Sequence, residues 1–243
     1  MKTLTIIPSR MSATRLPGKP LLKINGLSII SHVFKKAEQA DIGEVFVATE
    51  DQEIVDDVTK NGGNAILTSK NHKTGTDRIY EAFQIINSKD VDIILNLQGD
   101  EPAINIKDII GLNKKMISTQ SKMGTLAAEI KNFKDLKNSN IVKVITKKDL
   151  KEDQFSLAET FTRNTKNVDN IYHHIGIYCY SSETLKKFVK LNQSKNEIEN
   201  RLEQLRALDN NIEINVALAN SSPIGVDTEE DYLALKKIME YKA

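Results

Sequence analysis

Leu4-Thr5-Ile6-Ile7-Pro8-Ser9-Arg10-Met11-Ser12-Ala13-Thr14-Arg15-Leu16-Pro17-Gly18-Lys19-Pro20 decides the fold. Leu4 to Ile7 is a short apolar run that reads as a strand buried on both faces. The loop that follows carries three fixed positive charges, Arg10, Arg15 and Lys19, among three prolines and a glycine. The two guanidinium groups offer planar forks that suit phosphate oxygens, and the lysine offers a point charge. Pro17-Gly18 permits a tight turn that brings main-chain N–H groups close to an anion. A cluster of like charges is often only a solvated surface. This one leaves the carboxyl end of the first strand, where open α/β sheets bind their ligands. The loop reads as a triphosphate clamp.

Outward from the clamp, strands and helices alternate. Ser28 caps a helix with Ile29, Ile30, Val33, Phe34 and Ala37 on its apolar face, after an Asn25-Gly26 reversal. Val45 to Thr49 is a second buried strand ending at Glu50-Asp51, and a helix over 53–60 stops at Gly62-Gly63. Ala65 to Leu67 is a third strand; the loop 69–76 leads into a helix carrying Ile79, Tyr80, Phe83, Ile85 and Ile86. Asp92 to Leu97 is the fourth strand, and it exits through Gln98-Gly99-Asp100-Glu101-Pro102. Four strands alternating with helices over about 100 residues predict an α/β fold with a mostly parallel sheet flanked by helices.

The second half is less regular. Strands are expected over 123–130, 141–146, 172–180 and 212–218, and helices over 181–191, 197–208 and 228–241. The last helix has acidic residues in its first turn, as the helix dipole favours. The chain reads as one domain, with a nucleotide-binding part over 1–120, an acceptor part over 121–220 and a closing segment over 221–243.

The formal net charge of the 243 residues is +1, which gives no general pull toward nucleic acid or anionic membrane. Anion binding must therefore come from local clusters. Cys179 is the single cysteine, so no intrachain disulfide forms and a reducing, cytoplasmic setting is expected. The early Pro8-Ser9-Arg10 cuts the N-terminal apolar run too short for a signal peptide, and no run approaches transmembrane length. G-x-G-x-x-G does not follow the first strand, and neither a P-loop motif nor G-x-S-x-G occurs. His173-His174 lacks partners at zinc spacing.

Two carboxylates complete the chemistry. Asp100 is delivered to a sheet edge by the fourth strand, and Asp227 precedes the last helix, where it or Thr228 could serve as a cap. Mg²⁺ is commonly held by one or two carboxylates together with substrate phosphates. Asp100, Asp227 and the clamp would supply those parts for reaction at a nucleoside triphosphate.

Several motifs now fall in order. They are I-P-S-R-x-x-A-T-R-L-P-G-K-P-L from Ile7, H-x-T-G-T-D-R from His72, Q-G-D-E-P from Gln98, H-x-G-I-Y from His174, L-E-Q-L-R from Leu202 and G-V-D-T-x-E-D from Gly225. The chain resembles the 3-deoxy-manno-octulosonate cytidylyltransferase (CMP-Kdo synthetase) family from Leu4 to about Tyr232. The resemblance implies a Rossmann-like nucleotidyltransferase fold with a small acceptor and dimerisation lobe, a homodimer, and a reaction coupling CTP to Kdo for lipopolysaccharide synthesis. By motif, Arg10, Arg15 and Lys19 would grip the triphosphate, with Arg10, Lys19, Asp100 and Asp227 as the catalytic set. Thr74, Gly75, Arg78, Gln98 and Asp100 would join the nucleotide site, and Asp100 and Asp227 would hold Mg²⁺. Gln98, Arg163, His174, Tyr178, Glu203 and Gln204 would contact the sugar.

The departures from the family pattern gather in one region. Where the family has Phe-Ser-Arg and then Ile-Pro, this chain reads Phe161-Thr162-Arg163-Asn164-Thr165-Lys166-Asn167. Glu197-Ile198-Glu199-Asn200-Arg201 replaces the usual His-x-Glu ahead of L-E-Q-L-R, and Met11-Ser12 stands where an aromatic-small pair is typical. Nucleotide and metal positions are intact while the sugar side has drifted. An alternative acceptor is therefore 8-amino-Kdo or another 3-deoxy sugar acid.

Overall fold

A computed structural model of the chain describes residues 1–12, 15–88, 90–152, 154–164, 169–222 and 225–241. Ala13 and Thr14 of the basic loop, and Thr165, Lys166 and Asn167 of the divergent stretch, lie outside the described residues. The chain packs as two compact units, Lys2–Ile109 with Pro223–Ala243, and Ile110–Ser222.

In the first unit, β1 (Lys2–Ser9) is followed by a two-residue hairpin, β2 (Lys23–Ile24) and β3 (Leu27–Ser28). Then come α1 (Ile29–Gln39), β4 (Gly43–Thr49), α2 (Gln52–Lys60), β5 (Ala65–Leu67), α3 (Gly75–Ile86) and β6 (Val91–Asn96). Ser28 caps α1 by accepting from Ser31 N at 3.2 Å, and the face over Ile29, Ile30, Val33, Phe34 and Ala37 is buried as its periodicity predicts. The strands lie in the order β5-β4-β1-β6, all parallel. Leu4, Ile6 and Ile7 of β1 are wholly buried, because β1 has a strand on each side and α1 and α3 pack against it.

The order matters more than the count. From β1 the chain steps outward through β4 to β5, then returns to lay β6 against the other edge of β1. The loops leaving β1 and β6 diverge there, opening a crevice at the carboxyl ends of the strands.

In sequence α4 (Ile106–Thr119) spans the boundary, and the second unit continues with β7 (Met123–Ala128), α5 (Phe133–Lys137), β8 (Lys143–Thr146), β9 (Ser156–Thr162) and β10 (Ile171–Ser181). Next are α6 (Ser182–Phe188), α7 (Lys195–Asn200), α8 (Leu205–Asp209) and β11 (Asn215–Leu218). The strand order is β10-β7-β11-β9-β8, and β10 also pairs with β8 through Ile171–His173, so the five strands close on themselves. Among the described residues of these five strands only β11 and β7 run parallel. α9 (Glu229–Glu240) then returns the chain to the first unit.

Two expectations change. The helix over 197–208 is two short helices, because Arg201 adopts φ 53° and ends α7 after Asn200. Ser194 and Glu197 form a reciprocal capping box that fixes where α7 starts. The polar run 156–162, for which no strand was expected, forms β9; α4 and α5 are likewise additions to the expected elements.

Candidate active site

The crevice between β1 and β6 holds a cavity of about 360 Å³. Arg10, Ser12, Arg15 and Lys19 line it from the β1 loop, His72 to Gly75 from the segment entering α3, Gln98 to Asp100 from the β6 exit, and Asp227 from the approach to α9. These are the segments whose motifs pointed to a nucleotide.

Local rules explain how the loop is held open. Gly18 takes φ 70°, a left-handed turn that a β-carbon would strain, and so starts the 3-10 turn Lys19–Leu21. Met11 N donates to Asp51 Oδ2 at 2.7 Å, which pins the loop's first turn to the end of β4. Below, Leu16 and Leu22 pack against Ile24, Ile29, Val226 and Leu235. That small core fastens the clamp to the base of α9. A β-carbon at Gly99 would stand 3.0 Å from Pro8 O and 3.2 Å from Ile30 Cδ1, so the β6 exit needs glycine to pass β1 this closely.

The charges converge. Lys19 Nζ lies 2.8 Å from Asp100 Oδ2 and 3.5 Å from Asp227 Oδ1, and Arg15 Nη2 lies 3.0 Å from Asp227 Oδ2. Val226 N donates to Asp100 O at 2.9 Å, tying together the two loops that carry the carboxylates. The capping question at α9 is settled in favour of Thr228, whose side chain accepts from Asp231 N. Asp231 in turn accepts from Asp227 N at 3.2 Å. The Asp227 carboxylate is thereby left to face the cavity, and Asp100, well ahead of α4, caps no helix either.

The remaining nucleotide-side residues fall into two kinds. Thr74 caps α3 by accepting from Asp77 N at 3.2 Å, so Gly75 opens the helix at the cavity wall, where its N-terminal N–H groups favour an anion. Arg78 lines the cavity but is itself a strut: its Nη1 donates to Thr68 Oγ1 at 2.6 Å and its Nη2 is paired with Glu50. Glu81 accepts from Ser69 N at 2.8 Å and contacts His72 Nε2 at 2.5 Å. Burial pushes the Glu81 carboxyl up, but the two hydrogen bonds together with the His72 and Arg78 charges outweigh it and hold it below the usual carboxylate range. Gln98 Nε2 donates to Asn96 Oδ1 at 3.1 Å.

Two of the expected sugar residues meet in the second unit: His174 and Tyr178 on β10 have ring centroids 5.4 Å apart, and Phe161 of β9 meets His174 edge-on at 5.1 Å. Thr125 Oγ1 donates to Ile177 O at 2.7 Å, which spends its one proton; its 3.0 Å contact with His174 Nε2 is therefore donated by the imidazole. Burial, with His173 adding to it, pulls the His174 pKa down to about 3, so the ring is neutral. Burial also raises the Tyr178 hydroxyl, with Tyr180 and Glu203 contributing. Gln204 is buried, and Arg163 is half-buried at the end of β9 with Nη1 reaching Ser139 O at 3.4 Å and Asn140 O at 3.5 Å.

The family profile described as Cytidylyltransferase matches residues 4–214. A 3-deoxy-manno-octulosonate cytidylyltransferase of Nitrobacter hamburgensis is 40% identical over 98% of this chain and 93% of its own length. Its counterpart in Rhodopseudomonas palustris strain BisB18 is 41% identical over 99% and 98%. A solved CMP:2-keto-3-deoxy-manno-octonic acid synthetase complexed with CTP superposes with a TM-score of 0.88 at 32% identity, covering 100% of both chains. The chain belongs to the 3-deoxy-manno-octulosonate cytidylyltransferase family. It is a nucleotidyltransferase.

Sequence reading missed the supports of this family's clamp. Glu50 and Asp51 stood out only as an acidic pair ending the second strand, although the carboxyl end of β4, beside β1, is where a carboxylate can brace Arg78 and Met11. Lys143 and Thr125 gave no signal, because nothing in a strand's sequence marks a buried polar side chain.

Proposed function

We propose that this chain couples CTP to 3-deoxy-D-manno-octulosonate (Kdo) in a Mg²⁺-dependent reaction, giving CMP-Kdo and pyrophosphate for lipopolysaccharide synthesis in the cytoplasm. One observation carries the reading: three clamp cations and two carboxylates from distant parts of the sequence meet in one cavity at the sheet's switch point.

The residues fit the metal. Asp100 and Asp227 present carboxylate oxygens to a single ammonium, so both can face one cation. Among the described residues no group of three or more His, Cys, Asp and Glu side chains forms a protein cage. Two hard oxygen donors completed by substrate oxygens is the set that Mg²⁺ takes. When bound there, Mg²⁺ would neutralise phosphate charge and acidify the acceptor hydroxyl.

The chain's own part is positioning and charge. Arg10, Arg15 and Lys19 would take the triphosphate oxygens, with the first turn of α3 adding N–H donors. The sugar's anomeric oxygen attacks the α-phosphorus in line; the new O–P bond forms as the bond to the pyrophosphate oxygen breaks, and the hydroxyl proton passes to solvent. Arg15 and Lys19 then hold the leaving pyrophosphate's charge. Arg163, His174, Tyr178, Glu203 and Gln204 would contact the acceptor, His174 as a neutral ring.

The test is pyrophosphate release from CTP and Mg²⁺ with Kdo, with 8-amino-Kdo and without sugar. Release with Kdo at least as fast as with the amino sugar supports the proposal. Release only with the amino sugar moves the acceptor, as the altered 161–167 segment would allow, and leaves the nucleotide site standing.

A further inference from the structure

Lys143 on β8 is fully buried, and the proposed reaction gives it no task. Its Nζ donates to Asn138 O at 2.5 Å and to Arg163 O at 2.9 Å. Lys143 is also the register partner of Thr162 across the β8–β9 ladder, so its side chain reaches one residue past its own pairing position. A buried lysine satisfied by two backbone carbonyls is costly to keep unless the segments it joins must be fixed.

The segments it joins are those that hold Arg163. The main chain of Arg163 is tied to Asn138 through the ammonium. Among the described residues the Arg163 guanidinium reaches back with Nη1, to Ser139 O and Asn140 O. Two cations thus stitch the same two stretches of backbone from opposite ends. With Nη1 as the anchor, the opposite edge, Nε and Nη2, is the one that takes a carboxylate in two parallel hydrogen bonds.

We propose that Lys143 is the positioning residue that presents the Arg163 fork to the carboxylate of the sugar acid. This rests on the proposed sugar-acid acceptor. Where the family pattern places a proline after the arginine, this chain has none, and the backbone of Arg163 is set by a buried ammonium. Burial pulls the Lys143 pKa down, with the Arg163 charge adding to it and Asp135 opposing it.

The test is a double-mutant cycle on Lys143→Met and Arg163→Ala, reading KM for Kdo, KM for CTP and the melting temperature. Each single variant is expected to raise KM for Kdo by about tenfold or more, the loss of a charge-assisted bidentate contact, with KM for CTP little changed. The double variant is expected to be no worse than Arg163→Ala alone. If Lys143→Met does not fold, Lys143→Gln, which keeps a donor of shorter reach, takes its place in the cycle. Effects of the two changes that multiply, or a Lys143 variant that loses CTP affinity and melting temperature while holding KM for Kdo, overturn the proposal and leave the acceptor reading intact. An Arg163→Ala enzyme with unchanged KM for Kdo overturns the assignment of Arg163 to the sugar, and this proposal with it.

Discussion

The clamp of the first unit and a buried ion pair in the second use charge in opposite ways. In the clamp unit the side chains of Asp100, Asp227 and Arg15 are 33%, 46% and 57% exposed, and their ion pairs are single contacts. In the other unit Arg206 and Glu197 are 3% and 4% exposed and form a two-bond fork, Nε to Oε2 at 2.8 Å and Nη2 to Oε1 at 2.5 Å. Arg206 also lies over the Phe188 ring at 4.8 Å. Half-solvated single contacts can be exchanged for a triphosphate and a metal at little cost. A buried fork cannot, because either partner left alone is an uncompensated charge in a dry site. On the proposed reading the clamp's charges are there to be traded and the fork's to stay.

That contrast predicts where variants will act. Asp100→Ala should lower turnover by about 10³-fold or more while leaving the melting temperature within a degree or two of the parent, as expected for a half-exposed group whose work is electrostatic. Pyrophosphate release and a thermal melt on the same preparation check both halves. Arg206→Met should do the reverse, costing about 3–5 kcal/mol of stability in urea unfolding, because Glu197 is stranded. Replacing both partners with apolar residues should recover much of that loss.

Acid should separate the units further. Burial works against the Glu197 carboxyl, but the hydrogen bonds from Arg206, Gln193 and Ser194 together with the Arg206 charge outweigh it and set its pKa below the ordinary value. A depressed carboxylate stabilises fully above its unfolded pKa, and that contribution is lost as pH falls through the folded one. His174 adds to the same trend by another route. Its pKa of about 3 means that the unfolded chain binds a proton below about pH 6.5 that the folded chain refuses. Stability should therefore fall as pH drops from about 6.5 toward 3, and a His174→Gln variant should flatten that slope in urea melts taken across the range. The smallest expected effect is at the cap of α9, where Thr228→Ala should cost about 1 kcal/mol by the same melts.

Legibility in the sequence followed the same division. β1, β4 and β6 were readable because parallel strands covered on both faces leave continuous apolar runs, and the loops after β1 and β6 carry their chemistry in adjacent residues. Nothing local could bring Asp227 to Asp100; that meeting is made by the Val226 hydrogen bond and the small core beneath the clamp. β9 was hidden by Glu159, Thr160 and Thr162, polar residues in a strand with one face only partly covered. The break at Arg201 was hidden because a left-handed residue that is not glycine or asparagine gives no warning. Lys143, Glu197 and Arg206 are charged residues that no local pattern marks as buried, and they are core.

The most direct test compares the two kinds of charge in one assay. Pyrophosphate release from CTP, Mg²⁺ and Kdo would be followed for the parent, Asp100→Ala and Glu197→Gln, at a temperature where all three are folded. Asp100→Ala should lose about 10³-fold or more of turnover with a parental melt, and Glu197→Gln should melt early yet keep the parent's kcat/KM for CTP. Turnover near the parent's level in Asp100→Ala would contradict the placement of the reaction at the meeting of clamp and carboxylates.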